Sequence, residues 1–152
     1  MNIQDVLQLD ITNRDVLIIG YPTSGKTYLS KLLNTSNHTV FHSDDYMKYG
    51  YKEGLYVLID DIKNEIKKTI FEGVFGYRLL RKGVELNCYH PDIVIQLDIT
   101  EQKMLEIYKT ERDSNKISYL KKFNKMHDKI LQEYANMPKM KRPAWYKVVN
   151  DY

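Results

Sequence analysis

The chain has 152 residues and a mass of 18.1 kDa, the size of a single domain. Its 43% hydrophobic and 28% charged residues exclude wholesale disorder, and no apolar run approaches the ~18 residues needed to cross a bilayer, so no membrane partner is expected. One cysteine, Cys88, excludes an intrachain disulfide and a cysteine zinc cage. With four His that lack ligand spacing, and a first segment without a basic-then-apolar signal, a cytoplasmic protein is expected. The net charge of +3 is unevenly spread. Residues 1–102 carry 11 Lys/Arg against 14 Asp/Glu, and residues 103–152 carry 12 against 6. The basic half reads either as a solvated lysine-rich helix or as a face toward polyanions.

In chain order, Val16-Leu17-Ile18-Ile19 is a short apolar run ending at Gly20, the pattern of a strand buried on both faces. After a glycine-punctuated loop, residues 27–33 place Leu29, Leu32 and Leu33 on one helical face. Thr39-Val40-Phe41 is a second strand and ends at His42-Ser43-Asp44-Asp45. Residues 52–68 carry Leu55, Leu58, Ile59, Ile62 and Ile66 at helical spacing. Thr69-Ile70-Phe71 is a third strand, ending in Glu72-Gly73. Residues 77–82 form a short helix with Gly83 as its cap. Residues 93–97 form a fourth strand, and Thr100 caps a helix to about Arg112. A further helix carries Ile117, Leu120, Phe123, Ile130 and Tyr134, and residues 145–149 make a last strand. Strands alternating with helices predict a three-layer, doubly wound parallel α/β sheet, one domain over residues 1–152. In such a sheet ligands bind at the C-terminal strand edge, where three polar motifs fall.

The first motif is Gly20-Tyr21-Pro22-Thr23-Ser24-Gly25-Lys26-Thr27, which fits GxxxxGK[ST] after a strand and before a helix. Loop amides and the positive helix end suit a nucleotide's β-phosphate. Gly25 allows close approach, Lys26 reaches the β- and γ-phosphates, and the Thr27 hydroxyl ligates Mg²⁺. Tyr28 follows directly and is grouped with this ATP-binding set. At the second strand end, Asp44 suits a base that orients an acceptor hydroxyl, with Asp45 as its support. Both acids also fit a helix cap. At the third, Glu72 suits a metal-organising or acceptor-binding carboxylate. Arg78 and Arg81 suit an acceptor phosphate.

Together these residues resemble the small P-loop kinases of the nucleoside and nucleotide kinase-like group. "GYPTSGKT" followed by "FHSDDY" is similar to the start of phage-type polynucleotide 5′-kinases and uridine-kinase-like enzymes. "IFEGV" is similar to a strand-end element of uridine kinases, and "DIVIQLDIT" with Arg112 to the approach to the lid. The resemblance spans residues 15–112. It implies a five-stranded sheet of order 2-3-1-4-5, Lys26 and Thr27 on ATP·Mg²⁺, Asp44 as base, Glu72 at the site, and Arg112 as a lid arginine within a segment about 109–120. Where the polynucleotide kinase pattern has an arginine after Asp-Asp-Tyr, this chain has Met47. The expected function is an ATP-dependent kinase acting on a nucleoside, a nucleotide, a nucleic-acid end or another small metabolite. Two alternatives are a P-loop ATPase of motor or AAA-like type, in which Tyr56-Val57-Leu58-Ile59-Asp60-Asp61 is a strand holding Mg²⁺, and a non-catalytic nucleotide-binding module.

Overall fold

Val16–Gly20 forms β1, and every residue in it is buried. That is why the run is apolar without alternation. In a computed structural model that describes residues 1–20, 24–34, 37–73, 75–100, 102, 106, 125, 128, 129, 132–138 and 142–150, four more strands join it: β2 (His38–His42), β3 (Lys68–Glu72), β4 (Ile93–Ile99) and β5 (Ala144–Asn150). The sheet order is β2-β3-β1-β4-β5, and every adjacent pair is parallel. The expected order is therefore observed, and all five strands deliver their C-terminal ends to one edge.

Side chains alternate between the two faces along each strand. Leu17, Ile19 and Phe71 pack with Leu58, Phe75 and Leu79, from α3 (Tyr51–Lys63) and the start of α4 (Gly76–Glu85). Val16, Ile18 and Ile70 pack with Ile3, Val6, Leu29 and Leu33, from α1 (Ile3–Leu7) and α2 (Lys26–Leu33). Helices thus cover both faces. Asp15 ties the opposite strand edge together, accepting from the Thr69 backbone N–H at 2.8 Å while its own N–H donates to Asp92 at 2.8 Å.

Several boundaries differ from expectation. The helix expected to reach residue 68 stops at Lys63, where Asn64 caps it by donating to Asp60 and Ile62 carbonyls. The next residues turn the chain into β3, and Ile66, expected on the buried face, is fully exposed. Gly83 does not cap α4 but lies inside it, because a Cβ there would meet Tyr89 Cβ at 2.5 Å. The helix closes instead at Leu86 and at Asn87, which has a left-handed φ of 53°. Leu32 is exposed beside buried Leu29 and Leu33. Two elements were not expected: α1, and a 3₁₀ turn over Ser43–Tyr49. Residues 56–61 lie inside α3, not in a strand. Arg112 and the segment 109–120 lie outside the described residues. Among the described residues, no helix is long and apolar enough to cross a membrane.

Candidate active site

β1 ends at Gly20 and α2 begins at Lys26, so strand, loop and helix follow one another as the motif requires. Gly25 caps α2 with a φ of 95°, in the left-handed region that a side chain disfavours. A Cβ there would also meet Asn150 Nδ2 at 2.7 Å. At Gly20 a Cβ would collide with the Leu97 carbonyl oxygen. Both glycines are therefore required by space, one at each end of the loop. Tyr21, Pro22 and Thr23 lie outside the described residues.

Lys26 is only 8% exposed, and its ammonium donates to the Gly20 carbonyl at 3.1 Å. Burial pulls its pKa down to about 8, against the opposing pull of the Glu72 and Asp44 carboxylates. That opposition is informative. It brings the residues that close β3 and open the turn after β2 into the electrostatic reach of the loop lysine.

Alternation explains the next contact. Glu72 lies two residues after Ile70, whose side chain packs with α2, so Glu72 faces that helix as well. It is 4% exposed, and its Oε1 accepts from the Thr27 hydroxyl at 3.3 Å and from His42 Nδ1 at 2.7 Å. His42 sits directly opposite Glu72 in the β2–β3 register. Two donors on one oxygen hold the carboxylate in place. The Thr27 hydroxyl, having given its hydrogen to Glu72, keeps oxygen lone pairs free to meet a cation.

Asp44 and Asp45 are exposed in the first turn of the 3₁₀ segment. That segment is pinned beneath them. Buried Ser43 Oγ donates to the Glu72 carbonyl at 3.3 Å and accepts from the Phe75 N–H at 3.1 Å. Gly73, with a φ of 132°, lets the two chains meet, since a Cβ there would overlap Ser43 Oγ. Tyr46 donates to Asp61 at 2.6 Å, and burial with that bond raises its pKa, so the phenol stays a donor. Asp61 is thus committed to a packing contact.

Not every expected residue converges. Tyr28 is half-exposed on α2. Arg78 is exposed on α4, its guanidinium 5.1 Å above the Tyr51 ring centroid, and it makes no hydrogen bond or ion pair with Lys26, Asp44 or Glu72 among the described residues. Arg81 pairs with Glu133 at 3.3 Å. Conversely, Asn150 went unanticipated. It closes β5, is 5% exposed, and donates from Nδ2 to the Ser24 carbonyl at 2.9 Å. A polar residue at the C-terminal end of a strand was its only sequence signal. His42 and Ser43 were part of a recognised motif, but period-two alternation from Val40 was needed to aim His42.

Asn150→Ala is expected to destabilise the protein by about 1–3 kcal/mol, because a buried carbonyl loses its donor. Urea unfolding checks this, and an unchanged midpoint would show the bond to be idle.

No family model and no curated protein matches the chain.

Proposed function

We propose that this chain is a P-loop kinase that moves the γ-phosphate of ATP to a hydroxyl or phosphate of a nucleoside, a nucleotide, a polynucleotide 5′ end or another small metabolite. The observation that carries the reading is convergence. A buried lysine at the N-terminus of α2 feels the charge of the carboxylates of Asp44 and Glu72, which come from two other strand ends. A glycine loop alone would suit any nucleotide binder. A carboxylate set across from the loop lysine suits an enzyme that must also hold a phosphoryl acceptor.

The residues fit ATP·Mg²⁺. Glycines stand where no side chain has room, the ammonium is held in a nearly dry site, and the Thr27 hydroxyl is oriented by Glu72. Thr27 would hold Mg²⁺, which supplies charge neutralisation at the phosphates. Loop amides and Lys26 bind and orient the β- and γ-phosphates. Lys26 then exchanges the Gly20 carbonyl for phosphate oxygens, a stronger charge-assisted pairing. Asp44 receives the acceptor hydroxyl and holds it in line, supported by Asp45. Arg78, poised on Tyr51 and without a hydrogen bond or ion pair among the described residues, offers its fork to an acceptor phosphate. Arg112 supplies lid charge in this reading. The catalytic contribution is positioning and electrostatics, with no covalent enzyme intermediate.

The motor-type alternative loses its carboxylate pair, because Asp60 and Asp61 belong to α3.

Since the free lysine titrates near pH 8, ATP binding above that pH must return a proton to it. Calorimetry in buffers of different ionisation enthalpy should register proton uptake at alkaline pH and almost none at neutral pH. Equal proton uptake at both would contradict the assignment of Lys26 to the phosphates. The reaction itself is tested by offering γ-labelled ATP with uridine, uridine 5′-monophosphate, glycerol and a 5′-hydroxyl oligodeoxynucleotide. Label should appear on one acceptor. Label released only as inorganic phosphate would replace the kinase by a hydrolase.

A further inference from the structure

One titratable side chain in this corner has no part in the reaction so far. His42 ends β2, opposite Glu72, with Nδ1 2.7 Å from Glu72 Oε1. That oxygen also takes the Thr27 hydroxyl hydrogen, so it acts as an acceptor. An ionised carboxylate only accepts, which places the imidazole hydrogen on Nδ1 and the lone pair on Nε2. Nε2 has no hydrogen-bond partner among the described residues, and the His42 side chain is 30% exposed. A buried carboxylate behind a half-open imidazole fixes the tautomer and offsets the positive charge when the ring takes a proton. That is the division of labour in a histidine general base.

We infer that His42, backed by Glu72, is the proton acceptor of this site, with Asp44 holding the acceptor hydroxyl beside it. The inference rests on the phosphotransfer reading above. In the step, the acceptor O–H bond breaks and its proton passes to His42 Nε2. The acceptor oxygen forms a bond to the γ-phosphorus. The bond from that phosphorus to the β–γ bridging oxygen breaks, and ADP leaves with the electron pair. The imidazolium, balanced by Glu72, then returns the proton to solvent. The charged groups around this corner are Glu72 on β3, Lys26 on α2, and Asp44 and Asp45 on the 3₁₀ turn. Imidazole is the side-chain type whose ordinary titration lies near neutrality, which suits a base that must reload every cycle.

The test uses whichever of uridine, uridine 5′-monophosphate, glycerol and the 5′-hydroxyl oligodeoxynucleotide the intact protein phosphorylates. His42→Gln should lower kcat by ~10²–10⁴-fold, leave ATP affinity unchanged, and remove the acid limb of the kcat–pH profile. A variant that keeps kcat and the acid limb overturns the histidine assignment and leaves the kinase intact. Equal loss of ATP affinity also overturns it, by making His42 a support of the nucleotide site. If the intact protein labels none of the four, both readings fall. A second measurement does not depend on the variant folding: ¹⁵N shifts of the native imidazole should report hydrogen on Nδ1 and a bare Nε2, and the reverse tautomer overturns the proposal.

Discussion

Lys26→Met is expected to abolish phosphotransfer while making the free protein harder to unfold. The two effects have one cause. Lys26 is a charge held at 8% exposure, which the proposed reading assigns to the phosphates, and burial lowers its pKa from 10.5 to about 8. The sign follows from proton counting. Between those two values the unfolded chain binds more protons than the folded one, so stability rises with pH across that window. Below pH 8 the full penalty is present, roughly 3 kcal/mol for a depression of that size. Methionine has a similar shape and no charge to desolvate. The variant should therefore gain on the order of 1–3 kcal/mol at neutral pH and lose the alkaline rise. Urea unfolding at pH 7 and pH 10 reads both. Transfer near the wild-type rate would remove Lys26 from the site altogether. A variant less stable than wild type at neutral pH would show that the lysine's hydrogen bond to Gly20 and its attraction to the Glu72 carboxylate outweigh its burial.

Asp44→Asn is expected to lower kcat by ~10²–10⁴-fold with ATP affinity nearly unchanged, the signature of a group that serves the acceptor and not the nucleotide. Asparagine keeps the shape and loses the charge. The loop glycines, Lys26 and Thr27 are untouched, and Ser43 still pins the turn to Glu72 and Phe75. Steady-state kinetics with calorimetric ATP binding separates the two roles. Affinity falling in step with kcat would make Asp44 a metal ligand. If Asp44 and His42 serve one proton transfer, the double variant should cost far less than the product of the two single losses.

Much of this architecture is legible in the sequence because the central strands are buried and short. An uninterrupted apolar run such as Val16–Ile19 has few alternatives to a central parallel strand, and the GxxxxGKT pattern ties it to a following helix. What period cannot show is where a helix stops. Ile66 continues the helical spacing of Ile59 and Ile62, but Asn64 ends the helix first and leaves Ile66 in solvent. Gly83 resembles a cap in sequence and is instead a packing site for Tyr89, a contact made across a turn. At the active edge, Gly25, Lys26 and Thr27 carry a local signal, because adjacent residues make the loop. Asn150 carries only its place at a strand end. It lies 126 positions from Ser24 and meets it only because β5 joins the sheet beside β4. The link between His42 and Glu72 is similarly a product of register, in which β2 pairs with β3 so that the two strand-end residues stand opposite each other.

The most direct measurement is the rate of ATP consumption with and without the acceptor that becomes labelled. A kinase built on Lys26 and Asp44 should consume ATP slowly alone, accelerate when the acceptor is added, and yield one phosphorylated acceptor for each ADP. Equal consumption in both conditions, with all label in inorganic phosphate, would contradict the account.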